Sequence, residues 1–443
     1  MADIVPFRGV LYDPARVGDV ASVVAPPYDV IGPAEQAALY ARHPGNIIRL
    51  ELGQEHPDDN LQENRYTRAH RFLQDWLRDG LLRRDDKPAI YLYAVEYRLH
   101  GGPTRTLHGF LSLVTLEEFG AGGIFPHENT RAAAKDDRYR LLETCRSNFS
   151  PIFSLYPDAE GAIIRTLDRT VERGQPQFAV TDADGVRHLL WTVTDQRALD
   201  RVTAAMKPLP LFIADGHHRY ESALRYRNAQ RQALGDHGTL PSDRVLMYFA
   251  SLDDPGLTIL PTHRVLPGPL PYPAHEFRQR LAETFAMETM AFTKETEPVA
   301  RARFMGALYE ARTTNAHVMG LIVRGESRYV VLTLTAAGRA RLGASARERL
   351  DVSILQQMMF RDALRMEPKD EERLLYLKDE EEVLAAMARG DGELAVLINP
   401  PKVAEVRAVA LAGDRMPHKS TYFYPKPLTG FVLNTMDTEP AGK

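Results

Sequence analysis

Cysteine is nearly missing from this sequence: among 443 residues there is one, Cys145. A single thiol cannot build an intramolecular disulfide framework or a Cys-rich zinc site, and such usage suits a reducing cytoplasm. An excess of basic charge is also missing. The chain carries 55 Lys and Arg against 59 Asp and Glu, a formal charge of −4. No global field therefore draws it to nucleic acid, and any contact with DNA would be local. Apolar runs fall far short of a membrane span, and the opening MADIVPFRGVLYDP has neither a basic segment nor an apolar core of the kind a secretory leader needs. A soluble cytoplasmic protein without a membrane partner is expected. Repeats and low-complexity tracts are absent too. The 30 prolines and 30 glycines are scattered as turn punctuation, and the longest charge run, KDEEE at 378–382, reads as a solvated helix start. With 44% apolar residues the chain is long enough for two or three domains, each with its own core.

Chemistry gathers at PLFIADGHHRYESALRY, residues 208–224. LFIA is a short apolar strand ending at Asp215, and Tyr220, Ala223 and Leu224 recur at helical spacing. Gly216 thus occupies a tight strand-to-helix turn, where the missing Cβ lets a backbone or a ligand come close. The amides of His217 and His218 point outward from the helix start. That end, with the guanidinium of Arg219, favours a phosphate. Adjacent histidines do not face one another on a helix, so a His-His metal pair is disfavoured, and a structural pair, one buried and one solvated, stays open.

Two other regions carry polar clusters. In VVAPPYDVIGPAEQAALYARHPGNIIRLELG, residues 23–53, Pro26 and Pro27 impose extended backbone, Gly32-Pro33 opens a helix with Glu35 in its first turn, and NIIRLEL reads as a strand. Tyr28 and Asp29 are either site residues or a turn residue and a local cap. Residues 89–119 hold two β-rich runs around His100-Gly101-Gly102-Pro103, a hairpin signal, and RHLLWTV at 187–193 is β-rich as well. From about Arg131 a helix is expected, with Leu141, Leu142 and Cys145 facing a core. His127, Glu128, Thr130, Lys135, Asp137 and Arg138 cluster at its start, as an anion site or as a capped, salt-bridged first turn.

IADGHHRYESAL resembles the strand-turn-helix signature of the ParB/sulfiredoxin superfamily, which includes partition CTPases, sulfiredoxin and a free-serine kinase. Over nearly its whole length the chain is identified as a member of the bacterial domain family numbered 1015. The motifs are APPYDVI (25–31), HPGNIIRLELG (43–53), FPHENT (125–130), ADGHHRY (214–220), LPTHRV (260–265) and MPHKSTYFYPKPLTG (416–430). The resemblance implies an α/β (α+β) fold: a ParB/sulfiredoxin-like nucleotide-binding core with a large insertion, plus a C-terminal α+β domain. Residues 1–268 would form the first region, with an inserted hairpin and helix at about 85–195, and 269–443 the second, after a PGPLPYP linker.

By the same resemblance Gly216, His217, His218 and Arg219 would hold the phosphates of ATP or ADP, and Lys135, Arg138, Lys419 and Lys426 would lend charge. Asp215 and Glu128 would bind Mg2+, or Asp215 would orient a histidine. A carboxylate outside the turn would be the general base, with Glu128, Asp29 and Glu221 considered in that order. Tyr28, His127, Thr130, His263 and Arg264 complete the substrate side. The implied activity is phosphoryl transfer to a small hydroxylated metabolite, free L-serine first. A nucleotide-gated, partition-like switch and a non-catalytic anion-binding protein are the alternatives, and a homodimer is left open. No DNA-reading helix follows the motif, and His217 stands where sulfiredoxin has its reactive cysteine. The last third should hold a helix near 275–285, a β pair over 317–334, helices near 351–366 and 379–390, a strand at 393–400 and a helix from Lys402.

Overall fold

The computed structural model describes residues 2–99, 101–171, 174–235, 238–314 and 316–436. The fold is mixed α/β, and two compact units divide it. The first comprises residues 1–126, 130–258 and 425–443, the second 127–129 and 259–424. The division falls between Thr258 and Ile259, and the tail from Pro425 returns to the first unit. This differs from the expected boundary at 268/269 with the whole tail in the second region.

A nine-stranded sheet organises the first unit. Along its path the strands run Ile124–Phe125, Leu211–Asp215, Ile152–Tyr156, Arg244–Ser251, Arg105–Thr115, Ile90–Tyr97, Arg187–Val193 and Phe178–Thr181, and Ile4–Val5 pairs with the Arg105–Thr115 strand. The expected hairpin is present, with Tyr97 opposite Arg105 and Tyr91 opposite Leu111. Its turn residue His100 lies outside the described residues. These two strands sit in the middle of the same sheet that carries Leu211–Asp215. The reason is pairing: Arg105–Thr115 hydrogen-bonds on its other edge to Arg244–Ser251, residues far along the chain.

The helix after the glycine turn, His217–Leu234, packs as its spacing predicts, with Tyr220, Ala223 and Leu224 buried. The Tyr220 hydroxyl donates to the Glu117 carbonyl at 2.7 Å and accepts from the Glu117 amide at 3.0 Å, pinning the first turn of the helix to the loop after the central hairpin. The helix Ala132–Cys145 buries Leu141, Leu142 and Cys145.

NIIRLEL is not a strand. Residues Ile48–Glu51 form a short helix. Asn46 turns the chain there: its Oδ1 accepts from the Ile48 amide at 3.0 Å, and its Nδ2 donates to the carbonyls of Ser22 at 2.8 Å and Val24 at 3.2 Å. Ile47, Ile48, Leu50 and Glu51 are all buried. A short apolar run that is almost wholly buried has no periodicity to separate strand from helix, and here the backbone hydrogen bonds of the Asn46 side chain fix the turn.

The second unit has a six-stranded sheet in the order Phe285–Ala291, Arg328–Leu334, Val318–Val323, Leu394–Ile398, His263–Leu266 and Leu375–Leu377. The expected helices appear at Ala274–Leu281, Glu380–Arg389 and Val403–Leu411. Over 351–366 a helical turn, Asp351–Ile354, passes into a π-helix, Leu355–Ala363. PGPLPYP is not an interdomain linker. It joins the His263–Leu266 strand to the Ala274–Leu281 helix inside this unit, because His263–Leu266 pairs with Leu394–Ile398. No helix among the described residues is long and apolar enough to cross a membrane.

Candidate functional site

The strand Leu211–Asp215 and the helix His217–Leu234 meet at Gly216, which holds the N-cap position at φ +91°. A side chain there would be strained, and an added Cβ would lie 3.0 Å from both Nε and Nη2 of Arg219. The guanidinium thus folds back over the turn. Its Nη2 donates to Asp215 Oδ2 at 2.8 Å, and its Nη1 donates to Ser150 Oγ at 2.8 Å and to the Pro151 carbonyl at 2.7 Å. Arg219 Nε is buried and has no hydrogen-bond partner among the described residues.

The other Asp215 oxygen accepts from Lys426 Nζ at 2.6 Å, and the same ammonium reaches Asp29 Oδ2 at 3.1 Å. Lys426 arrives through the returning tail. Thr429 pairs with Ala25, Leu433 with Val10, and Asn434–Thr435 with Ser147–Asn148. Thus APPYDVI, ADGHHRY and the PKPLTG end of the last motif converge in one unit. Two carboxylates and two cations balance there, at the positive end of an 18-residue helix.

Tyr28 links this cluster to a buried ion network. Its ring lies under the guanidinium carbon of Arg138 at 4.1 Å and of Arg219 at 5.8 Å. Burial pushes its hydroxyl up to about 12, against the two arginines. Arg138 is 5% exposed and Glu51 3%. Arg138 Nη1 donates at 3.0 Å to both the carbonyl and Oε1 of Glu51, and Nε donates to Asp137 Oδ2 at 2.7 Å. Burial opposes the charge of Arg138, but Glu51, Asp137 and Tyr28 together hold its pKa above the ordinary range. Ser150 Oγ also donates to Glu51 Oε1, so Ser150 bridges the Arg138 and Arg219 networks.

Of the other sequence-derived residues, Thr130 Oγ1 and Lys135 Nζ both donate to Glu221 Oε2, at 2.9 and 2.8 Å. His218 Nε2 accepts from the Arg131 amide at 3.0 Å, while His217 is buried at 4% exposure. The first unit therefore gathers Tyr28, Asp29, Arg138, Asp215, Gly216, Arg219 and Lys426. Glu51 and Ser150 were not anticipated. A lone carboxylate inside the apolar run NIIRLEL is the signal that could have flagged Glu51. Cys145 is a buried thiol pushed up to about 12 by burial and by Glu51, which makes it a poor nucleophile.

His127, Glu128, His263, Arg264 and Lys419 belong to the second unit. There Glu128 Oε1 accepts from the Lys419 amide at 3.0 Å and lies 2.9 Å from His418 Nδ1. His127 Nε2 is 2.9 Å from Thr421 Oγ1. Arg264 donates through Nη2 to the Lys419 carbonyl at 2.9 Å and through Nη1 to the Thr262 carbonyl. Burial pushes its pKa down to about 10. Among the described residues no group of three or more His, Cys, Asp or Glu is placed to hold a metal ion.

His263 is 1% exposed, and burial, reinforced by Arg264 and Arg312, pushes its imidazole down to about 3. The unfolded chain takes up this proton at about pH 6.5, whereas the folded chain waits until about pH 3. Between those values the unfolded state binds the extra proton, so stability falls as pH falls. His263→Gln keeps an acceptor for the Ile398 amide, which His263 Nδ1 accepts at 3.2 Å. Thermal melts from pH 7 to 4 should show a shallower acid decline in the variant than in the parent. Parallel declines would remove His263 as a cause.

These features define an α/β protein whose glycine-capped strand-to-helix turn is bracketed by a lysine and two carboxylates. The chain belongs to the family described as protein of unknown function (DUF1015), whose pattern it matches over residues 4–353. Among solved structures it is similar to a conserved hypothetical protein from Pyrococcus furiosus, at 14% identity and TM-score 0.31, covering 70% of this chain and 91% of that one. A free serine kinase in complex with AMP matches at 13% identity and TM-score 0.32, covering 71% and 88%. SbnI from Staphylococcus aureus, truncated at its C-terminus, matches at 12% identity and TM-score 0.34, covering 72% and 85%. No curated protein matches the chain.

Proposed function

We propose that this protein binds the phosphates of ATP or ADP at the Asp215–Arg219 turn of a ParB/sulfiredoxin-like core and transfers a phosphoryl group to a small hydroxylated metabolite, free L-serine first. The observation that carries the reading is the glycine-capped helix start with Lys426 beside Asp215 and the orphaned Nε of Arg219. Helix amides, a lysine point charge and a guanidinium are the groups that neutralise charge on a transferring phosphoryl group. The nucleotide fits this donor set, because the buried Nε would find an acceptor in a phosphate oxygen. Mg2+ would come with the phosphates and keep water ligands, using at most one or two carboxylates of the site. Asp215 is the carboxylate at hand, once a phosphate draws Lys426 or Arg219 away from it.

Asp29 takes the role of base in this reading. It stands in the same unit as the turn, 3.1 Å from Lys426, and it is partly exposed. Glu128, the first choice from sequence, is engaged by His418 and Lys419 in the second unit. A base here needs only to accept the hydroxyl proton, since positioning and charge neutralisation carry most of the barrier lowering.

Phosphorus NMR of the full chain with magnesium, ATP or ADP, and free L-serine beside other small alcohols tests the proposal. A new phosphomonoester resonance is expected, slowed by about 100-fold or more in Asp29→Asn, in line with the loss of a general base. Nucleotide that stays intact with every acceptor would rule out transfer. A nucleotide-dependent thermal shift would then separate a nucleotide-gated switch from a protein that binds other anions.

A further inference from the structure

The second unit contains a cavity of about 560 Å3 that plays no part in the reading above. It lies where the Leu394–Ile398 strand gives way, through Pro400 and Pro401, to the Val403–Leu411 helix. Arg312, Arg349 and Lys402 line it, together with His317, Asp351 and Glu405. Both carboxylates are committed. Asp351 Oδ1 lies 2.6 Å from His317 Nδ1, and Glu405 Oε2 accepts from the Lys402 amide at 2.7 Å at the start of the helix.

The cations are differently placed. Arg312 is oriented by its stacking over the Tyr309 ring at 4.5 Å and by donation from Nε to Asn399 Oδ1 at 3.0 Å; its Nη2 reaches Glu380 at 3.5 Å. Lys402 Nζ makes one long bond, 3.3 Å, to the Thr314 carbonyl, and Arg349 Nε one of 3.3 Å to the Gly343 carbonyl. His317, held through Nδ1, turns its Nε2 away from Asp351.

We propose that this cavity binds a small phosphorylated metabolite, with Arg312, Arg349 and Lys402 around the phosphate and His317 against it. The three cations come from separate chain segments and can approach different oxygens of a tetrahedral dianion, whereas a carboxylate offers two oxygens in one plane. The volume lies within the range of about 300–1,000 Å3 usual for small-molecule sites and leaves room for an organic group beyond the phosphate.

The test is NMR of the 443-residue chain with ring-labelled histidine. The His317 signals are assigned by their loss in His317→Gln, and inorganic phosphate and acetate serve as probes. Phosphate should move the His317 signals saturably, and the apparent dissociation constant should rise about tenfold or more in Arg312→Gln/Lys402→Gln. If that pair does not fold, Lys402→Gln alone, at an exposed helix start, should still weaken the response. His317 signals indifferent to phosphate, or a response unchanged in the variants, would overturn the site. Movement with acetate alone would overturn the ligand class. A Gly216→Val background should leave the phosphate response intact, which keeps this site's fate separate from that of the turn.

Discussion

Replacing Arg138 by Met should cost the first unit about 3–5 kcal/mol, the usual penalty for removing one partner of a buried ion pair. Arg138 sits between Glu51 and Asp137 at 5% exposure, and it also covers the ring of Tyr28. Methionine fills much of the volume but leaves the Glu51 carboxylate buried, with the Ser150 hydroxyl as its remaining side-chain donor in this network. At about 2–4 °C per kcal/mol for a unit of this size, the melting transition should fall by roughly 10 °C. Arg138→Lys should fall short of rescue, since one ammonium cannot reproduce the fork that meets the Glu51 carbonyl, Glu51 Oε1 and Asp137 together. Arg138→Met/Glu51→Gln should recover part of the loss, because the uncompensated charge is gone. Calorimetry of the three variants decides the matter, and a single variant melting with the parent would show that the network adds nothing to stability.

The second large effect concerns ligand binding. Gly216→Val puts a β-branched residue at φ +91°, a strain of about 1–3 kcal/mol, and drives a Cβ to 3.0 Å from the Arg219 guanidinium. Either Arg219 moves off Asp215 or the turn opens, and both misplace the groups proposed to meet phosphate. At 100 times its dissociation constant a nucleotide adds about 2.7 kcal/mol to the parent's stability, and that increment should vanish in the variant. Gly216→Ala should lose less, as it shares the backbone strain without the second branch. Differential scanning with and without ADP gives the answer. A folded Val variant stabilised as strongly as the parent would remove the turn from nucleotide binding.

Both results depend on features of different range along the chain, and that range governs what could be read in advance. The strand, glycine turn and helix at 208–224 were legible because each signal is local: an apolar run, a residue without Cβ, and apolar positions at helical spacing. The 90–115 hairpin was legible for the same reason, although its central place in the sheet was not. That place comes from pairing with Arg244–Ser251.

Composition by itself determined the absence of a disulfide framework, and the ordered motifs determined the family. The order in which those motifs meet was decided only by the tertiary structure. Lys426 reaches Asp215 across 211 positions, and no local pattern distinguishes it from Lys419, which the fold assigns to the other unit. Asn46 converts an apparent strand into a helix through carbonyls more than twenty residues away. Glu51 becomes half of a buried ion pair only once Arg138 is folded against it. Local periodicity sets which segments become strands and helices. Burial and charge pairing between distant segments decide which of their side chains share a site, because those energies exist only after the chain has closed on itself.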